Sequence, residues 1–198
     1  MKIITIIGYK GGVGKSTSAV HLATYFSEYG KTLLVDGDPN HTALGWSERG
    51  HLPFNVADQR QAMKLVAGAD YVIIDTPARP NSDDLKELAK GCDLLILPTS
   101  PGVVSLQPML DTARDLGEAS YRALLTIVPT YPSREGEIMQ ADLKQARIPV
   151  FKSMIRRTVG FAKAAMQGRP ICELSEATAQ AAWQDYKSVG DEIRRLLK

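Results

Sequence analysis

Short runs of apolar, β-branched residues alternate along the chain with longer stretches in which apolar side chains return every third or fourth position. Residues 3–8, Ile-Ile-Thr-Ile-Ile-Gly, are apolar almost throughout and predict a strand buried on both faces. Over 15–29, Ala19, Leu22, Ala23 and Phe26 share one helical face, and Gly30 closes the segment. The same alternation predicts strands at 32–36, 71–75, 93–97, 123–128 and 149–151, with a minor one at 52–56. Helices are predicted at 59–67, 82–90, 103–116, 135–146, 158–167 and 176–197, with a short one around Ala43, Leu44 and Trp46. Prolines punctuate 77–80 and stop a strand at Pro98. Buried strands separated by helices imply crossover connections. The expectation is an α/β fold: a single doubly wound domain over 1–198, its mostly parallel sheet flanked by helices.

Composition leaves that picture intact. A chain of 198 residues, 44% hydrophobic and 23% charged, has the balance of one soluble globular domain with a full core. The apolar start is too short for a secretion signal and runs straight into a glycine run, and no apolar stretch approaches a membrane span. A cytoplasmic location is expected. Cys92 and Cys172 show no ligand spacing and read as small buried residues in a reducing compartment. Charge does change the picture. Residues 1–143 hold 13 Lys and Arg against 17 Asp and Glu, a balance of −4, whereas 144–198 hold 11 against 5, a balance of +6. Basic charge gathered at one end is a footprint for nucleic acid or anionic lipid.

The densest chemistry follows the first strand: Lys10-Gly11-Gly12-Val13-Gly14-Lys15-Ser16-Thr17, then a helix. Gly11, Gly12 and Gly14 permit backbone torsions and close approaches that a side chain forbids, so main-chain N–H groups can converge on phosphate oxygens at a helix N-terminus. Lys15 is placed to neutralise the β- and γ-phosphates, the Ser16 hydroxyl to ligate Mg²⁺, and Thr17 to reach the α-phosphate. The loop departs from the usual pattern in having Tyr9 where glycine is expected, and it carries a second lysine, Lys10.

These eight residues resemble the deviant phosphate loop of the ParA/MinD family of P-loop ATPases. The resemblance implies that Lys10 crosses a dimer interface to the partner's nucleotide, supplying a cation on assembly. It implies ATP and Mg²⁺ as cofactors and hydrolysis of ATP to ADP and phosphate, weak until a partner stimulates it. Strand two ends in Asp36-Gly37-Asp38-Pro39-Asn40, similar to the family's Asp-x-Asp-Pro-Gln. Asp38 is then the residue that orients or activates the attacking water, and Asp36 stands near the Mg²⁺ shell. The strand ending Ile74-Asp75-Thr76-Pro77 has the form of a Walker B strand. Asp75 falls at the C-terminal edge of the sheet, where such folds bind ligands, and suits a Mg²⁺-bound water. Pro98, in Leu97-Pro98-Thr99-Ser100-Pro101, matches a nucleotide-contacting segment of the family.

The basic end, from Phe151-Lys152 through Arg156-Arg157 and Phe161-Ala162-Lys163 to Gly168-Arg169-Pro170, resembles the C-terminal third of small ParA-type partition ATPases. Those relatives bind nonspecific DNA as ATP dimers, which makes Lys152, Arg156, Arg157, Lys163, Arg194 and Arg195 candidates for phosphate contacts. Arg156 and Arg157 are alternatively placed for the dimer interface. The implied function is a homodimerising, nucleoid-associated ATPase that positions or segregates a cargo: a plasmid, a chromosome region or a protein body such as the carboxysome. A cargo-adaptor protein stimulates its turnover. The chain starts at its first strand, so an operator-reading helix-turn-helix region and sequence-specific repression are not expected. The alternative is a MinD-like membrane switch. It is disfavoured because Ala179, Trp183, Tyr186, Val189, Ile193 and Leu196 form one continuous stripe, as expected of a helix docked on a core. An iron–sulfur relative would need paired cysteines at a dimer seam, which Cys92 and Cys172 do not resemble.

Overall fold

The computed structural model describes residues 1–78, 81–117 and 119–198. Six strands form one sheet: β1 (Lys2–Gly8), β2 (Thr32–Asp36), β3 (Asn55–Asp58), β4 (Tyr71–Ala78), β5 (Leu94–Thr99) and β6 (Tyr121–Leu125), in the order β3-β2-β4-β1-β5-β6. Every pairing between them is parallel. Eight helices connect and cover them among the described residues: α1 (Lys15–Ser27), α2 (Thr42–Glu48), α3 (Gln59–Leu65), α4 (Ser82–Lys90), α5 (Val103–Leu116), α6 (Glu135–Gln145), α7 (Gly160–Met166) and α8 (Ala177–Leu196). Part of the proline punctuation expected at 77–80, namely 79–80, lies outside the described residues.

The strands are apolar without a break because alternate residues enter two different cores. Ile4, Ile6, Leu34, Ile73, Leu94, Ile96 and Leu124 face the side covered by α1 and α8. Their neighbours face the other way, Leu95, Leu97, Ala123 and Leu125 beneath α5 and α6, and Leu33, Val35 and Val72 beneath α3. With period two along a strand, burial of both sets requires layers on both faces.

Three sequence expectations are corrected. The helix expected to bury one face, α1, is enclosed nearly all round, with every residue from Ser18 to Phe26 buried. The sheet covers one side and α8 the other. Tyr25 packs so closely on α8 that a Cβ on Gly190 would lie 2.4 Å from its ring. The strand expected at 149–151 is reduced to single bridges, Ala123 to Val150 and Val128 to Arg156, along the outer edge of β6. The cysteines are free but half-buried rather than buried. The stripe on α8 docks through Ala179, Trp183, Tyr186, Val189 and Ile193, all in the core, whereas Leu196 at its end is exposed. Among the described residues no helix is long and apolar enough to cross a membrane.

Candidate functional site

The glycine loop leaves the C-terminal end of β1 and enters α1, so the helix's unpaired N–H groups open onto the crevice where the parallel strands end. Gly12 (φ 78°) and Gly14 (φ 82°) occupy the left-handed region that turns the chain through this loop. Gly8 is fixed for another reason. A Cβ there would fall 2.6 Å from Lys15 Cδ, so the bare glycine lets the lysine lie back across the end of β1.

A cavity of about 520 Å³ opens over the loop. Gly11, Gly12, Gly14, Lys15, Ser16, Thr17 and Asp38 all line it, as the sequence predicts. Lys15 Nζ stands 3.5 Å from Asp38 Oδ2, with both side chains more than nine-tenths buried. The other Asp38 oxygen accepts from the backbone and side-chain amides of Asn40, each at 2.9 Å. Asp38 is thus aimed at the loop by one neighbour and held against rotation by another.

Asp36 differs. Its oxygens accept from the N–H of Asp38 (3.1 Å) and of Leu44 (2.9 Å), tying the end of β2 to the first turn of α2. Those two bonds make it the carboxylate that shapes the Asp38 loop. Asp75 is fully buried, and neither of its oxygens closes a hydrogen bond of ordinary geometry, although the Ser16 hydroxyl stands near enough to act on it. Burial pushes its pKa up to about 6, although the Ser16 hydroxyl and the Lys15 ammonium pull it down; Asp36 and Asp38 add to the rise.

A buried carboxylate left without a donor is costly, and a hydrated cation between it and Ser16 would satisfy it. Among the described residues, no three His, Cys, Asp or Glu side chains converge to hold a metal by themselves. The donor set therefore fits a Mg²⁺ that takes most of its ligands from phosphate and water, with Ser16 and Asp75 as the protein's share.

Several expected site residues lie off this cavity. Lys10 is half-buried and lines a small adjoining pocket with Tyr9 and Pro98, so Pro98 borders the loop from behind and does not line the main cavity. Val13 is buried and lines the same small pocket, not the main cavity. The basic candidates divide. Arg156 forms a bidentate ion pair with Asp185 (2.7 and 2.8 Å) on the cavity wall, which engages its guanidinium within the fold. Arg157 is exposed at the same cavity. Lys163 pairs with Glu176 at 2.8 Å, and Arg194 lies 3.7 Å over the Tyr29 ring. Lys152 and Arg195 are exposed.

The structure adds residues that the sequence left unmarked. Thr126, just past β6, donates its hydroxyl to the Val13 carbonyl at 2.8 Å and has the Thr99 carbonyl within 3.2 Å, lashing the glycine loop to the sheet. Its place after a parallel strand was the available signal. Ile127 follows with φ 55°, a strained conformation for a β-branched residue, at the cavity wall. Phe161 and Tyr186 close the wall from α7 and α8. Behind them, His21 is wholly buried. Its Nδ1 lies 2.7 Å from the Thr17 carbonyl, and its Nε2 accepts the N–H of Ile171 at 3.1 Å. Those partners define a neutral ring protonated on Nδ1, and burial holds its pKa down at about 4 against the pull of the Thr17 carbonyl.

A family profile described as the CobQ/CobB/MinD/ParA nucleotide binding domain matches residues 4–171. The chain belongs to the ParA/MinD family of P-loop ATPases. This ParA/MinD-type chain is 32% identical to the maintenance of carboxysome distribution protein A of Gloeobacter kilaueensis over 98% of its own length and 94% of the relative's. A plasmid partition protein of Borrelia burgdorferi bound to AMPPNP superposes with a TM-score of 0.71 at 20% identity, covering 98% of each chain. The Aquifex aeolicus cell division protein MinD superposes at 0.75 and 16% identity, covering 98% of this chain and 97% of that one. The two structural likenesses concern the fold.

Proposed function

We propose that this ParA/MinD-type protein hydrolyses ATP at the glycine loop, pairs with a second copy when ATP is bound, and in that state binds DNA without sequence preference to position a cargo. The observation that carries the reading is the buried Lys15–Asp38 pair at the head of the loop. A lysine and a carboxylate held this way supply one charge to bind phosphate and one acceptor to orient water. Lys15 neutralises the outer phosphates and thereby gives up its contact with Asp38, which frees an oxygen to take the proton of an attacking water. Asn40 holds the other oxygen so that the carboxylate keeps its aim. Mg²⁺, when bound, offsets phosphate charge. Ser16 and Asp75 are the residues to hold it, while Asp36 keeps the Asp38 loop in shape. The amides of the glycine loop and Thr17 grip the phosphates.

Lys10 is the residue we assign to the partner's nucleotide, so that turnover depends on assembly. The cargo reading leans on the 32%-identical relative, whose name concerns carboxysome distribution; a protein body is therefore the cargo class we favour. An adaptor on that cargo would stimulate hydrolysis and release. For DNA we retain Lys152, Arg157 and Arg195, whose side chains are exposed. The test is co-sedimentation with nonspecific duplex DNA in ATP, in ADP and without nucleotide. Binding confined to the ATP state and weakened by salt is expected, and binding indifferent to nucleotide would reject the reading.

A further inference from the structure

We propose that a groove at the opposite end of the sheet binds an extended acidic segment of a partner protein beside the chain that enters β3. The groove encloses about 750 Å³, more than the 520 Å³ over the glycine loop. It is walled by the chain entering β2, by residues 51–55 entering β3, and by the end of α3. Because the strands are parallel, those are their N-terminal ends, away from the nucleotide chemistry.

Charge defines the occupant. Lys31, Lys64 and His51 line the groove and are exposed, no carboxylate lines it, and neither lysine forms an ion pair among the described residues. Asp70, close beside Gly30, is turned to the backbone N–H of Lys31 at 2.8 Å. The floor is apolar, with Leu33, Leu52, Phe54 and Leu65, the last 41% exposed. A ligand that suits both must alternate acidic and apolar groups.

The backbone selects polypeptide over nucleic acid. β3 is the terminal strand, paired only to β2, and the amides of His51 and Leu52 leading into it have no hydrogen-bond partner among the described residues. An added strand can use such groups, and side chains alternating along it would meet the lysines and the floor in turn. Two lysines beside an apolar floor are too few to track a phosphate backbone.

The probe is a fluorescein-labelled peptide of about eight residues alternating Glu and Val, the length of a short added strand, titrated into the full chain and followed by anisotropy. Saturable binding that weakens with salt is expected. Lys31→Glu with Lys64→Glu should weaken it about tenfold while binding of an ATP analogue stays unchanged, which also reports that the variant is folded. A version with proline at alternate positions should lose binding, because the fixed φ of proline, about −65°, keeps the peptide out of the extended strand that would present its carbonyls to those amides. Failure of the Glu–Val peptide to bind, equal binding of a Lys–Val peptide, indifference to the double variant, or equal binding of the proline peptide would each overturn the proposal. So would a single-stranded oligonucleotide that displaced the peptide. None of these outcomes bears on ATP hydrolysis, so this proposal and the nucleotide reading fail separately.

Discussion

Lys15 and Asp38 sit in a buried setting where losing one partner strands the charge of the other. Lys15→Ala is expected to abolish binding of a fluorescent ATP analogue, because among the described residues no other lysine lines the cavity. Asp38→Ala should still bind the analogue but hydrolyse ATP about a hundredfold more slowly or worse, as measured by phosphate release. Undiminished turnover would remove Asp38 from the chemistry. His21 gives a pH prediction. Its folded pKa of about 4 lies below the ordinary 6.5, so between those values the unfolded chain binds a proton that the folded chain refuses. Stability is therefore lost as pH falls through that window, by an amount on the order of 3 kcal/mol in all. His21→Asn should flatten this dependence in denaturant titrations at pH 7 and pH 4.5. The loop residues were legible in sequence because they are contiguous. Asn40 was legible only as a substitution, and Thr126 not at all, because its partners Val13 and Thr99 lie far from it along the chain.

At the scale of elements, the packing of α8 on α1 depends on a missing side chain. Gly190→Ala would drive a methyl into the Tyr25 ring and separate two helices joined by Ser18–Tyr186 (3.0 Å) and Tyr25–Asp191 hydrogen bonds. A loss of about 1–3 kcal/mol is expected, read as a lowered Tm. An unchanged Tm would mean that the helices part freely. Every sheet strand and covering helix was legible, since continuous apolar strands can only be buried on both faces. What periodicity did not show was that α1 is central. Its polar positions, Ser18, His21 and Thr24, look like a solvated face until their hydrogen bonds to Tyr186, Thr17 and Val20 are seen. Likewise, the apolar pattern at 149–151 is that of a strand, yet backbone pairing there stops at one bridge, and the cavity wall is formed further on, by residues 155–158.

For the whole molecule, the glycine loop, the Asp38 loop, the first residue of α2 and the basic pair Arg156 and Arg157 all border one cavity. The charge asymmetry was visible in sequence. Its division into internal ion pairs, such as Arg156–Asp185, and exposed charges was not, because pairing joins residues from different elements. Reversing Lys152 and Arg195 to Glu should weaken DNA binding and reduce its salt slope by about two while leaving ATP binding intact. An unaltered slope would place the DNA surface elsewhere. The measurement that tests the central claim most directly is the molar mass of the purified protein by light scattering, with Mg²⁺ and a saturating non-hydrolysable ATP analogue. Twice the mass of the 21.6 kDa chain, reverting to a single chain in ADP, is predicted. A mass that stays at one chain in both nucleotides would contradict an ATP-dependent pairing and the positioning function built on it.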